Sequence, residues 1–190
     1  MKIIGITGTI GAGKGTIVEY LVNKYGFKHY SVRDYLIREA KKQNLPLNRD
    51  TYVKIANDLR HIYSPSFIID ELYKEAAKNG VNAIIESIRT LGEIASLRTK
   101  DNFSLWAVDA EPKIRYERIV ARQSETDHIS FDTFLANEKR EMNAEDPTKQ
   151  NLAGCIQQAD VVFENNNNFE KLFLQIEEAL LKNTANKTDL

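Results

Sequence analysis

Nine residues near the amino end carry the clearest chemistry in the chain: Gly8-Thr9-Ile10-Gly11-Ala12-Gly13-Lys14-Gly15-Thr16. They follow the apolar, β-branched run Ile3-Ile4-Gly5-Ile6-Thr7. A buried parallel strand reads as such a run, and a glycine-rich turn that then opens a helix is the arrangement that holds phosphates. Glycines are required because the backbone must curl around an anion with its N–H groups pointing inward. The positive end of the helix and the charge of Lys14 add to the same attraction. The spacing fits G-x-x-x-x-G-K with one departure: Gly15 stands where the motif has Ser or Thr, and Thr16 comes one place later.

Other charged groups fall where such a site would use them. Glu86 ends the apolar run Val81-Asn82-Ala83-Ile84-Ile85, and ligands of open parallel sheets lie beyond the carboxyl ends of the strands. Arg89 follows three residues later. Arg115, Arg118 and Arg122 recur at i, i+3 and i+7, on one face of a helix introduced by Glu111-Pro112. Tyr116, Ile119 and Val120 fall on a different, apolar face, expected to turn to the sheet.

These groups need a scaffold, and the chain alternates strand and helix signals along its length. Further strands read as 26–31, 81–86, 102–110 and 159–163. Helices read over 13–25, from Val32, over 50–63, after Ser64-Pro65 with serine as cap and proline first, after the capping box Thr90-x-x-Glu93, after Pro112, from Ile129-Ser130-Phe131-Asp132, over 150–158, and from Phe169. The order predicts an α/β fold: a five-stranded parallel sheet in a three-layer α/β/α sandwich. One domain over 1–182 is expected, with a helical insertion at 32–80 and a disordered tail at 183–190.

The 190 residues suffice for one such domain, and 42% hydrophobic with 28% charged residues is ordinary for a globular chain. The net charge of −1 argues against nucleic acid as a partner. No apolar run approaches the roughly 20 residues of a membrane span, and the N-terminus reads as strand rather than signal peptide. Cys155 is the single cysteine, which excludes an internal disulfide and a cysteine zinc cluster and fits a reducing cytoplasm.

The ending Gly13-Lys14-Gly15-Thr16 resembles the form found in the adenylate kinase group of P-loop nucleoside monophosphate kinases. That resemblance implies ATP bound by Gly11, Ala12, Gly13, Lys14, Gly15 and Thr16. It implies an acceptor site at Ser31 and Asp34, where Val32 and Arg33 replace the family's Thr-Gly and Ile37 stands where its arginine falls, so that Arg33 or Arg38 would substitute. Glu86-Ser87-Ile88-Arg89-Thr90 resembles the family's Asp-Gly-Phe-Pro-Arg-Thr, making Glu86 the acid near magnesium and Arg89 an acceptor grip. Arg60 would join it. The resemblance also implies a short lid at 122–130, with Arg118, Arg122 and Arg140 as the lid-side arginines that close on the transferring phosphoryl group, and Asn165 to Asn168 backing the adenine. With no hydroxyl on Gly15, Mg2+ would be held by the nucleotide, Thr16 and waters on Glu86.

Asn57-Asp58-Leu59-Arg60 and Arg115-Tyr116-Glu117-Arg118-Ile119 also look like kinase-like domains found alone or beside deoxycytidylate deaminases, which points to a deoxynucleoside monophosphate as acceptor. The expected reaction is transfer of the γ-phosphoryl of MgATP to a (deoxy)nucleoside monophosphate. Two alternatives stay open. A dephospho-CoA kinase would phosphorylate a ribose hydroxyl, with Glu86 or Asp34 as base; a nucleotide-dependent binding module would hydrolyse ATP slowly.

Overall fold

Five strands, β1 (Ile3–Gly8), β2 (Lys28–Ser31), β3 (Ala83–Glu86), β4 (Phe103–Asp109) and β5 (Val161–Glu164), form one parallel sheet in the order β2-β3-β1-β4-β5. The computed structural model describes residues 1–122, 129–143, 146 and 149–185. Its helices are α1 (Lys14–Tyr25), α2 (Val32–Lys42), α3 (Arg49–Ile62), α4 (Phe67–Asn79), α5 (Leu91–Arg98), α6 (Pro112–Arg122), α7 (Phe131–Met142), α8 (Leu152–Gln157) and α9 (Phe169–Ala185).

Alternation along the strands divides the core in two. Ile3, Ala83, Ile85 and Leu105 face one side, where Leu36, Ala40, Ile55, Ile69, Leu72, Ala76 and Cys155 cover them. Ile4, Ile6, Ile84, Trp106, Val108 and Phe163 face the other, under Ile17, Leu21, Leu172 and Ile176. The fold is thus a three-layer α/β/α sandwich. The helices read as an insertion, α2 to α4, are also one wall of the core.

Local signals explain most helix ends. Ser31 Oγ accepts from Asp34 N–H (3.2 Å), Asn48 Oδ1 from Thr51 N–H (2.9 Å), and Thr90 with Glu93 forms the capping box expected for α5. Three expectations need correction. Helix α4 begins at Phe67 rather than Pro65, because Phe67 N–H donates to Ser64 O (3.1 Å) and the intervening residues form a turn first. Helix α9 runs on to Ala185, past the expected start of the tail at 183; residues 186–190 lie outside the described residues, as do 123–128 of the expected lid. On α6 the buried residues are Arg115 and Ile119, while Val120 is exposed.

The strand order sets the site. Gly8 pairs with Val108 and Ile6 with Glu86, so the carboxyl ends of β3 and β4 flank the turn that leaves β1. This is the place where an open parallel sheet presents a ligand crevice.

Candidate active site

The turn between β1 and α1 has the curled backbone expected of a phosphate cradle. Gly8, Gly11 and Gly13 have φ of 136°, 78° and 108°, a region that side-chained residues rarely adopt. A Cβ at Gly11 would also sit 2.5 Å from the carbonyl oxygen of Arg115. Gly15 differs: a Cβ there would meet nothing within 4 Å, so its lack of a hydroxyl is not imposed by packing. Lys14 Nζ folds back onto the carbonyls of Gly8 and Thr9, each at 2.8 Å. Burial and then the nearby Arg89 charge bring this ammonium down to about 8, with Arg122 adding to the effect and Glu86 and Glu141 opposing it. Charges from β3, its following loop, α6 and α7 therefore all act on this lysine.

Glu86 ends β3 as expected and accepts or shares a proton with His29 Nε2 at 3.0 Å. Burial would raise its carboxyl, but the His29 hydrogen bond and the charges of Lys14, His29 and Arg89 outweigh this and hold it below the usual range. It is an ionised oxygen donor at half-buried depth, suited to a hard cation such as Mg2+ or to the waters around one. Ser87 follows with φ 73°. Its N–H and that of Ile88 both donate to Ile6 O (3.0 and 3.1 Å), which pins the bend against β1. Such a conformation costs about 1–3 kcal/mol in a residue with a side chain and persists where surrounding contacts enforce it.

The loop after Ser87 rests on a buried carboxylate. Glu93 Oε2 accepts the N–H groups of Arg89 (2.8 Å) and Thr90 (3.0 Å), and its Oε1 accepts Arg60 Nε (3.3 Å) and Nη2 (2.9 Å). Glu93 is 0% and Arg60 3% exposed. Arg60 is thus a buried brace that holds α3 to the Arg89 loop, and not the free acceptor grip expected from the sequence.

Helix α6 aims its arginines at the cradle. Arg115 is buried, with Nε on Ala110 O (2.6 Å), Nη1 on Ile10 O (3.4 Å) and Nη2 beside Glu138 (2.7 Å). It supports the turn from behind. Arg118 Nη2 donates to Asn165 O (2.9 Å), and Asn165 in turn donates from Nδ2 to Ala12 O (2.8 Å). Arg118 Nη1 and Asn165 Oδ1 are buried without a partner, and burial lowers the arginine's pKa. Arg118 therefore stands at the loop after β5, the side expected for the nucleotide base, while Arg122 lies where its charge reaches Lys14. Asp109 ends β4 and accepts Thr9 Oγ1 at 2.5 Å, tying the cradle to the second neighbouring strand.

The remaining expected residues divide. Arg89 reaches Glu141 Oε2 (3.1 Å) and Gln150 Oε1 (2.7 Å) inside the crevice. Ser31 serves as the cap of α2, and Arg33 and Asp34 are exposed on its first turn. Arg38 pairs in solvent with Glu75 of α4 (2.9 Å), each about half exposed, so it braces two helices instead of facing the crevice. Arg140 is exposed and bonds Asn137 of its own helix (3.3 Å); the inward residue of that turn is Glu141. Sequence reasoning overlooked Arg49, Glu141, His29 and Asp109. Asp109 alone carried a usable signal, its position at the carboxyl end of a strand, as for Glu86.

The AAA domain family matches residues 7–134, which take in the cradle, β3, α5 and α6. A UPF0200 protein of Methanococcus vannielii is 33% identical over 192 residues, covering 100% of both chains. The chain belongs to the UPF0200 family. A UPF0200 protein of Methanococcus maripaludis is 31% identical over 185 residues, spanning 96% of this chain and 97% of its own. Among solved structures, TT1252 from Thermus thermophilus superposes on this UPF0200 chain with a TM-score of 0.63 at 22% identity, over 98% and 97% of the two chains. A shikimate kinase from Bacteroides thetaiotaomicron gives 0.57 at 13% identity, over 95% and 98%. At such identities the likeness is one of fold, the P-loop kinase fold. The coarse part of the sequence resemblance holds for the UPF0200 chain, while neither the adenylate kinase group nor dephospho-CoA kinase is singled out.

Proposed function

We propose that the protein transfers the γ-phosphoryl of MgATP to the phosphate of a (deoxy)nucleoside monophosphate. The observation that carries the reading is the glycine-rich cradle with Lys14 folded over the Gly8 and Thr9 carbonyls and Glu86 at the end of the adjoining strand. Phosphoryl transfer asks for that much: positioned phosphates and cations to neutralise the equatorial oxygens. The N–H groups of Gly11 to Thr16 receive the triphosphate, and Lys14 exchanges the carbonyls of Gly8 and Thr9 for β- and γ-oxygens. Arg122 follows the transferred group, Arg118 borders the base, and Arg89 holds the acceptor phosphate. Magnesium bound with the nucleotide would be held by Thr16 and through water by Glu86, and would draw charge from the phosphates.

A hydroxyl acceptor is the second reading, favoured by the Glu86 contact to His29 at 3.0 Å, since such a pair can take up an alcohol's proton. Incubation with MgATP and separate pools of nucleoside monophosphates, dephospho-CoA, shikimate and gluconate decides by which acceptor gains phosphate. A monophosphate product supports the first reading. If no acceptor raises ADP release above the water-only rate, the protein is a slow ATPase and the transferase reading fails.

A further inference from the structure

Two arginines from distant parts of the chain share one carboxylate. Arg49, the first residue of α3, reaches Glu141 Oε1 through Nη2, and Arg89 Nη1 reaches Oε2 at 3.1 Å. The Glu141 side chain is 7% exposed, whereas those of Arg49 and Arg89 are 31% and 30% exposed. The anion is inside and the cations line its entrance. Among the described residues Glu141 is the carboxylate that accepts from both guanidinium groups, the further acceptor on Arg89 is the neutral Gln150, and the Glu86 charge acts on Arg89 from the end of β3. This arrangement borders the phosphate cradle, because the loop that carries Arg89 leaves β3 beside the end of β1, with Glu86 paired to Ile6 and the N–H groups of Ser87 and Ile88 on Ile6 O. The backbone of Arg89 is fixed on both sides, its N–H on Glu93 Oε2 (2.8 Å) and its carbonyl accepting from Asn151 N–H (2.8 Å). Only side chains are left to exchange partners.

We propose that Arg49 and Arg89 form a clamp for a phosphomonoester dianion, and that Glu141 fills the clamp as an internal placeholder which the ligand's phosphate displaces. A dianion with three acceptor oxygens matches two planar guanidinium forks more fully than one carboxylate that gives a single oxygen to each. The entering phosphate takes over the arginine hydrogen bonds, and the Glu141 carboxylate turns outward with its charge unchanged. A neutral hydroxyl compound cannot compete for the arginines, so the placeholder also selects for phosphorylated acceptors. This assignment rests on the acceptor class proposed above.

The test is calorimetric titration of inorganic phosphate into the full chain, with the cradle first saturated by a non-hydrolysable ATP analogue and Mg2+. Glu141→Gln removes the competing charge at nearly constant shape and is expected to tighten phosphate binding by about tenfold, the scale of one charge-assisted hydrogen bond. Arg49→Ala is expected to weaken it by a similar factor. Should the glutamine variant fail to fold, Glu141→Asp, which draws the carboxylate back by one methylene, must shift affinity in the same direction. Unchanged or weaker binding in the Glu141 variants makes that residue a fixed support for the arginines and overturns the proposal. The two readings fail separately. Phosphate binding that responds as expected, with no acceptor turned over, leaves the clamp and removes the monophosphate kinase; monophosphate turnover with weaker binding in Glu141→Gln does the reverse.

Discussion

Arg60 separates the sequence reading from the structural one, and replacing it by Met puts the two in direct conflict. The guanidinium is 3% exposed and supplies both hydrogen bonds received by Glu93 Oε1, at 3.3 and 2.9 Å. Glu93 itself is 0% exposed. Arg60→Met keeps most of the stem but takes the counter-charge from a buried carboxylate and leaves its Oε1 without donors, although Oε2 keeps the N–H groups of Arg89 and Thr90. Breaking a buried pair from one side costs about 3–5 kcal/mol. For a domain of this size each kcal/mol lowers Tm by about 2–4 °C, so the melting point should fall by roughly 6–20 °C. Circular dichroism and the fluorescence of Trp106, the single tryptophan and fully buried, follow the transition. The double variant Arg60→Met with Glu93→Leu should recover part of the loss, since no buried charge remains, but not all, because the Thr90 capping box goes with Glu93. A stability loss below about 1 kcal/mol, together with a large rise in acceptor KM, would refute the assignment of Arg60 as a brace and restore it to the acceptor.

Further outcomes follow from the same geometry. Arg89→Ala should lose most acceptor-dependent turnover with nucleotide affinity nearly unchanged, as read from steady-state kinetics beside equilibrium titration of an ATP analogue; equal weakening of both would move this arginine to the donor side. Lys14, brought down to about 8, should regain its proton when a triphosphate arrives. Nucleotide affinity should therefore fall by about tenfold per pH unit above pH 8, with proton uptake visible as buffer-dependent heats, and should be flat below it. The same lowered value makes charged Lys14 a cost to the fold below pH 8 that fades as pH rises toward 10.5, so the ligand-free protein should not lose stability through this group across that range. At Ser87, whose φ is 73°, Gly should leave stability unchanged or raise it by up to about 1 kcal/mol, whereas Val should lower it by about 1–3 kcal/mol in chemical denaturation.

How much of the site could be read in advance depends on the range of the interactions involved. The cradle is a local object: Gly8, Gly11 and Gly13 are needed by the backbone they occupy, and a β-branched run before them and a helix after them complete the signature within one stretch of chain. The five strands, the capping box at Thr90 and Glu93, and the place of Glu86 at a strand end are likewise set by periodicity and neighbouring residues. Charge partners are different, because a guanidinium on a helix surface has the same local sequence whether it meets a ligand, a solvent-exposed Glu75 or a buried Glu93. Arg38, Arg60 and Arg140 were indistinguishable from Arg89 until α3, α4, α5 and α7 were packed together. Arg49 and Glu141 are 92 residues apart, and only the closing of α7 over the sheet brings them to the same few ångströms. Sequence alone determined the elements and the phosphate turn, since their causes lie within a few residues; tertiary packing decided which charges face the crevice, since Coulomb partners are chosen by distance in space.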